Sequence, residues 1–145
     1  MIRFSRVVCV LLVIASFLTM PVFATESADD RSSSYFRNSS VYLWQTSNNQ
    51  FQAWFEVTCV STMTKIGTSE IKIQRSTDKD NWTTVATYSM DDYSNMVKSN
   101  SVYHEGYVTY TYTTGYYYRA EVELYAKNSS GTAYMTEYTS SLDLR

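Results

Sequence analysis

Histidine, cysteine and proline are all scarce in this 145-residue sequence, which contains one, two and one of them respectively. Zinc sites need clustered histidines or cysteines at fixed spacing, so this composition predicts no metal site of that kind. Of the two cysteines, Cys9 lies in an apolar N-terminal segment and Cys59 in the body of the chain. If the N-terminal segment is removed, Cys59 has no partner and no disulfide can form within one chain.

Glycine and excess positive charge are also lacking. The four glycines are not spaced as G-x-G-x-x-G, which argues against a nucleotide-binding loop and leaves no cofactor to expect. Lys and Arg together number 12 against 14 Asp and Glu, for a net charge of -2. Because phosphate binding depends on clustered Lys and Arg, nucleic acid is not an expected partner.

The N-terminus has the features of a secretory signal peptide. Arg3 and Arg6 precede a short apolar run at residues 7–17, and Val22-Phe23-Ala24 resembles a signal peptidase site. The run is short for a ~30 Å hydrocarbon layer, although an uncleaved membrane anchor is the alternative. Cleavage after Ala24 would remove Arg3 and Arg6 and change the net charge from -2 to -4. We therefore predict a secreted, extracellular protein that has no membrane segment after cleavage.

Removal of residues 1–24 leaves 121 of the 145 residues, which is enough for one domain with a real core. Residues 25–36 are mostly polar, so we predict a flexible leader there and a single domain over residues 37–145. A cysteine-poor exported chain is typical of a Gram-positive bacterium.

From Val41 onward the chain alternates apolar and polar residues and is rich in the residue types that suit strands. Aromatic residues make up 16% of the sequence and tyrosine alone numbers 14, so the strands are rich in large rings. The predicted strands are residues 41–45, 51–59, 71–75, 82–88, 107–113 and 116–127, followed by a last one after residue 131. Residues 91–101 are predicted to form a long polar loop. About seven short strands indicate an all-β, two-sheet antiparallel sandwich, with a small β-barrel as the alternative.

Two stretches resemble a known fold family. Residues 71–85, with a polar turn ahead of Trp82, and residues 115–131, with Tyr118 and the turn Asn128-Ser-Ser-Gly131, are similar to fibronectin type III and immunoglobulin-like domains. The resemblance implies that Tyr118 is a tyrosine-corner residue, with its ring in the core and its hydroxyl bonded to backbone upstream. The overall layout also resembles an uncharacterised family of small exported proteins from Gram-positive bacteria, which implies no activity.

The turn Asn128-Ser-Ser-Gly131 allows two hairpin registers. A three-residue loop with a bulge would pair Ala126 with Tyr134 and turn Tyr134, Tyr138 and Leu142 inward. A two-residue loop would instead point Glu137 at the core, at the cost of burying a poorly satisfied carboxylate. The bulged register is therefore the preferred prediction.

Residues that could support catalysis are few and separated. His104 lies in a polar stretch predicted as loop, whereas Cys59 is predicted to be a small apolar residue on the inward face of its strand. Asp78, Asp80 and Asn81 loosely resemble a calcium loop but lack its glycine and distal glutamate. The pair Glu121 and Glu123 is predicted to face solvent. We predict that the protein is not an enzyme.

The surplus of aromatic residues is the remaining signal of function. If the strand alternation holds, Trp44, Trp54, Tyr117 and Tyr125 point outward, where such rings can anchor a protein partner or stack on a sugar. They can equally pair across strands and only stabilise the sheet. Two functions follow as hypotheses. The first is a non-enzymatic binding or structural module at or outside the cell surface, and the second is a carbohydrate-binding module.

Overall fold

The computed structural model describes residues 34–46 and 49–145, and the predicted signal peptide and most of the leader lie outside these ranges. The fold is all-β, as predicted, and its strands form one antiparallel sheet. The strands are β1 (Phe36–Gln45), β2 (Gln50–Ser76), β3 (Thr83–Ser89), β4 (Val97–Thr111), β5 (Tyr116–Asn128), β6 (Gly131–Tyr138) and β7 (Leu142–Leu144). A short 3-10 turn, Ser94–Met96, precedes β4.

Strand β2 is 27 residues long and connects the two layers of the fold. Its first part pairs with β1 on one edge and β4 on the other, and its last part pairs with β5 and β3. Register shifts interrupt the pairing with β4 between Thr58 and Met63, and the pairing with β5 between Thr68 and Glu70. Such irregularities bend a strand and increase its twist. We call β1, β4 and the first part of β2 the first half-sheet, and β3, β5, β6, β7 and the last part of β2 the second half-sheet.

The core lies between the inner faces of the two half-sheets. Odd-numbered residues from Phe51 to Cys59 are buried on the first half-sheet, as the alternation predicts. Even-numbered residues from Tyr118 to Ala126 are buried on the second, beside Ile71 and Ile73. The ring centroids of Phe51 and Tyr118 are 5.4 Å apart, which shows that the two inner faces meet. The layers of the predicted sandwich are thus two halves of one curled sheet.

Two predicted boundaries are wrong. The predicted strands 51–59 and 71–75 are parts of the single strand β2, because pairing with β4 resumes at Met63 and pairing with β5 begins at Lys65, between the two predicted strands. Strand β4 begins at Val97 and not at 107, so residues 97–101 of the predicted loop are strand. The sequence does not reveal this strand, because its first part is polar and one of its inward positions, Gly106, has no apolar side chain. A Cβ there would lie 2.8 Å from the Phe55 ring, so only glycine leaves room for that ring.

The preferred register of the last hairpin is also wrong. Asn128 pairs with Gly131 and Ala126 with Ala133, so the loop has two residues and Tyr134 and Tyr138 are exposed. Of the three residues expected inward, Leu142 alone packs against the core. The expected penalty for Glu137 does not arise, because it is only half-buried and Ser39 of β1 donates a hydrogen bond to its carboxylate.

Tyr118 occupies the position that the family resemblance implies. Its side chain is fully buried, and its hydroxyl donates to the Thr113 carbonyl at 2.9 Å. The Thr113 amide donates back to the same hydroxyl at 3.2 Å. A buried hydroxyl without these partners would be costly, so this pair of bonds fixes the link between β4 and β5.

Candidate binding surface

The outer face of the first half-sheet carries a row of three aromatic rings, one on each strand. Trp54 of β2 lies directly opposite Tyr42 of β1 on one edge and Tyr107 of β4 on the other. Directly opposed side chains on one face of a sheet are close enough to touch. We call these three residues the aromatic row.

The rings of the aromatic row contact one another. The Tyr42 and Trp54 rings are 6.1 Å apart between centroids and parallel to within 3°. The Trp54 and Tyr107 rings are 4.5 Å apart at 34°, a separation at which Tyr107 covers one face of the indole. The Trp54 Nε1 donates to the Gln52 side-chain oxygen at 3.0 Å, which holds the ring in place. Trp54 is consequently half-buried while Tyr42 and Tyr107 remain exposed.

Trp44 is the most open ring on this face. It follows Tyr42 by two residues on β1, and its side chain is 62% exposed. Its neighbour across the strands is Gln52, and none of the ring contacts found among residues 34–46 and 49–145 involves it. An exposed tryptophan on an edge strand offers a large apolar surface that the fold itself does not use.

Two carboxylates lie on the other side of the aromatic row. Glu56 of β2 is directly opposite Glu105 of β4. The Tyr103 hydroxyl donates to Glu105 Oε2 at 2.9 Å. Burial, this hydrogen bond and the charge of Glu56 raise the pKa of Tyr103 to about 12, so it remains a donor at neutral pH.

The complete face contains no positive charge. Twelve outward positions in four cross-strand rows make up this surface, which we call the aromatic face. They are Asn38, Ser40, Tyr42 and Trp44 of β1, Gln52, Trp54, Glu56 and Thr58 of β2, and Tyr103, Glu105, Tyr107 and Thr109 of β4. Five of these twelve residues are aromatic: the three of the aromatic row, Trp44 and Tyr103. The only charged residues among the twelve are Glu56 and Glu105.

The structure separates the four predicted binding residues into two pairs. Trp44 and Trp54 share the aromatic face, whereas Tyr117 and Tyr125 lie on β5 in the second half-sheet. Tyr117 and Tyr125 lie on the outer face of β5, as the alternation predicts, but other side chains cover them and they are only 9% and 5% exposed. The Lys79 and Arg145 side chains cover the Tyr117 ring at 4.4 and 4.2 Å from its centroid. Tyr125 lies opposite Gly67 and packs against Tyr134.

Sequence reasoning missed Tyr42, Tyr107 and the two glutamates of the aromatic face. Tyr42 and Glu56 could have been found, because they alternate with Trp44 and Trp54 in predicted strands. Tyr107 and Glu105 could not, since the register of β4 against β2 depends on contacts far apart in the sequence.

The surroundings of Cys59 and His104 are those of residues that stabilise the fold. Cys59 is buried as predicted, and burial raises the pKa of its thiol to about 11, so the thiol is protonated at neutral pH. His104 lies within β4 and not in a loop, which corrects the prediction. Its Nε2 donates to the Asn95 carbonyl at 2.8 Å, and burial lowers the pKa of the ring.

The acidic residues considered in the sequence analysis also have local partners. The Asp78 carboxylate accepts hydrogen bonds from the backbone and side-chain amides of Asn81, from the Ser76 hydroxyl and from the Asp80 backbone amide. These bonds hold the pKa of Asp78 well below its usual range and close the turn. Glu121 was expected to face solvent, but it is partly buried and bonded to Gln74 and to Lys72. Within the described part of the chain, no group of three or more His, Cys, Asp or Glu is placed to hold a metal ion.

No helix among the described residues is both long and apolar enough to cross a bilayer. No protein-family model matches the chain, and no curated protein matches it. One solved structure found by comparison is Spo0M, a sporulation control protein from Bacillus subtilis. It is 9% identical with a TM-score of 0.41, and the match covers 70% of this chain and 47% of that one. The match therefore spans about half of the Spo0M chain.

Proposed function

We propose that this protein is a secreted, non-enzymatic binding module that engages another protein at or outside the cell surface through the aromatic face. Secretion rests on the signal-peptide features of residues 1–24. The observation that carries the binding role is Trp44, which is 62% exposed beside the aromatic row. Tryptophan and tyrosine dominate the binding energy of many protein interfaces, because they bury a large area at low entropic cost.

A second part of the proposal concerns the family to which the fold is related. We propose that the curled sandwich is related to fibronectin type III and immunoglobulin-like domains, with Tyr118 as its tyrosine corner. The two hydrogen bonds between the Tyr118 hydroxyl and Thr113 support this. A chain of this layout also fits a small exported protein of a Gram-positive bacterium.

The second candidate function is carbohydrate binding. The parallel rings of Tyr42 and Trp54 and the open ring of Trp44 favour it, since sugars stack on exposed ring faces. A sugar needs an uncovered face, however, and Tyr107 covers one face of Trp54 at 4.5 Å. The aromatic row is therefore better suited to side-chain contacts with a protein than to a line of stacked sugars.

A comparison of surface variants tests both functions. The mature protein, residues 25–145, would be immobilised and incubated with secreted and surface proteins of the producing organism, and separately with cell-wall and plant polysaccharides. We expect Trp44→Ala to abolish capture of a protein partner. Tyr134→Ala is the matched control, because it removes an exposed ring from the outer face of the second half-sheet.

The outcomes separate the candidates. Protein capture that depends on Trp44 and not on Tyr134 supports the first function. Retention on a polysaccharide that is lost in Trp44→Ala and in Trp54→Ala would replace it with the second. Equal capture of protein by the wild type, Trp44→Ala and Tyr134→Ala would show that the aromatic face does not bind, and would overturn the proposal.

A further inference from the structure

The aromatic face carries two negative charges and no positive one, and this pattern indicates the chemistry of the partner. The inference drawn from it rests on the proposed function. Glu56 and Glu105 are direct cross-strand neighbours, an arrangement that destabilises a sheet unless the charges are compensated. Three ion pairs occur among the described residues, and none involves either glutamate. Among the described residues, the Tyr103 hydroxyl donates to Glu105 Oε2 and also interacts with Glu56, and it carries no charge.

Another glutamate pair in the same fold is compensated. Glu70 and Glu123 are also opposed, across β2 and β5 on the outer face of the second half-sheet. The Lys72 ammonium lies 2.8 Å from Glu70, and the Ser69 hydroxyl donates to Glu123. The sheet thus supplies a cation as well as a hydroxyl for that pair, whereas among the described residues the pair on the aromatic face has a hydroxyl and no ion-paired Lys or Arg.

The dimensions of the aromatic face indicate the shape of the partner. Three strands about 4.8 Å apart and four rows about 7 Å apart give a surface of roughly 10 by 20 Å. A stable interface between globular proteins takes ~800 Å² from each partner, which is several times larger. A single extended segment fits this width, and its alternate side chains, also spaced by about 7 Å, match the rows.

We propose that the aromatic face binds an extended basic segment of a partner protein, with a Lys or Arg side chain held between Glu56 and Glu105. The next side chain on the same face of the segment lies over the aromatic row, and the one after it reaches Trp44. Arginine suits these positions well, because its planar guanidinium pairs with carboxylates and packs on aromatic rings.

A peptide titration tests this directly. The probe is a capped peptide of about eight residues with alternating Arg and Ser, long enough to cross the face at ~3.3 Å per residue. An equivalent peptide of alternating Glu and Ser is the negative probe. Binding to the mature protein would be followed by tryptophan fluorescence, at low salt and at about 0.15 M ionic strength.

Two double variants carry the same loss of charge at different places. Glu56→Gln with Glu105→Gln removes the uncompensated pair, and Glu70→Gln with Glu123→Gln removes the compensated one. We expect the first to weaken binding of the Arg peptide by about ten-fold or more, and the second by less than about three-fold. Added salt should weaken the wild-type complex.

Three results would overturn the inference. They are equal weakening by the two double variants, equal binding of the Glu peptide, and no binding of the Arg peptide by the wild type. Tighter binding of a soluble amino-sugar oligomer than of the Arg peptide would assign the cation to a glycan instead. If Trp44→Ala abolishes capture of the natural partner but Glu56→Gln with Glu105→Gln does not, the proposed function stands and the basic segment is wrong.

Discussion

Gly67 provides the sharpest test of how β2 passes from one half-sheet to the other. It pairs with Val97 of β4 on one edge and Tyr125 of β5 on the other, and its φ of +152° is disfavoured for other residues. A Cβ at this position would lie 2.0 Å from the Met96 carbonyl oxygen. Ordinary contact begins at 3.4 Å, so backbone would have to retreat by about 1.4 Å in Gly67→Ala. Met96 is fully buried, which leaves little room for such a shift.

The expected cost follows from two contributions. The backbone conformation costs an alanine about 1–3 kcal/mol, and forced displacement in a packed region adds about 1–3 kcal/mol. We expect Gly67→Ala to lower the free energy of unfolding by about 2–6 kcal/mol, a large part of the ~5–15 kcal/mol typical of a domain. Urea unfolding of the mature protein, followed by tryptophan fluorescence, measures this change.

Gly131→Ala is the matched control for backbone conformation. Its φ of +154° is almost the same, but a Cβ there would meet only the Tyr35 hydroxyl at an ordinary 3.6 Å. The difference between the two variants therefore isolates the clash with Met96. A Gly67→Ala protein within about 1 kcal/mol of Gly131→Ala would refute the close approach of β2 to Met96.

Three further predictions concern individual side chains. Tyr118→Phe should lower the unfolding free energy by about 1–3 kcal/mol in urea titrations, because it leaves Thr113 without its partner, while Tyr134→Phe on the surface should change it by less than about 0.5 kcal/mol. Burial lowers the pKa of His104, so the contribution of the neutral ring to stability is complete above the ordinary pKa of 6.5 and is lost as the pH falls below that value. Thermal unfolding measured against pH should show this loss of stability, and His104→Gln should abolish the loss. The Cys59 thiol should react with an aromatic disulfide reagent at least about ten times more slowly in the native mature protein than in urea, and equal rates would contradict its burial.

The parts of the fold that could be predicted from sequence are those in which one face is apolar. The alternation from Phe51 to Cys59 and from Tyr118 to Ala126 identifies two core strands and their inward residues correctly. The burial of the Tyr118 ring and the bond from its hydroxyl to upstream backbone were also predicted correctly. The start of β4 was predicted wrongly because its inward positions include Gly106. This glycine adds no apolar signal to the sequence, even though it makes room for Phe55.

The hairpin and two of the site residues could not be predicted for a related reason. Glu137 tolerates its position because Ser39, 98 residues earlier in the chain, donates a hydrogen bond to it. Tyr117 is covered by Lys79 from a distant turn and by Arg145 near the C-terminus. Alternation gives the face on which a side chain lies, but what covers that face depends on residues far away in sequence.

The central claim is that the aromatic face of the first half-sheet is the surface that meets a partner. Backbone amide chemical shifts of the isotope-labelled mature protein, measured during titration with the alternating Arg and Ser peptide, test it most directly. The largest shifts should fall on residues 38–44, 52–58 and 103–109, with little change on the outer face of β5 and β6. Shifts centred on β5 and β6, or spread evenly over the protein, would contradict the claim.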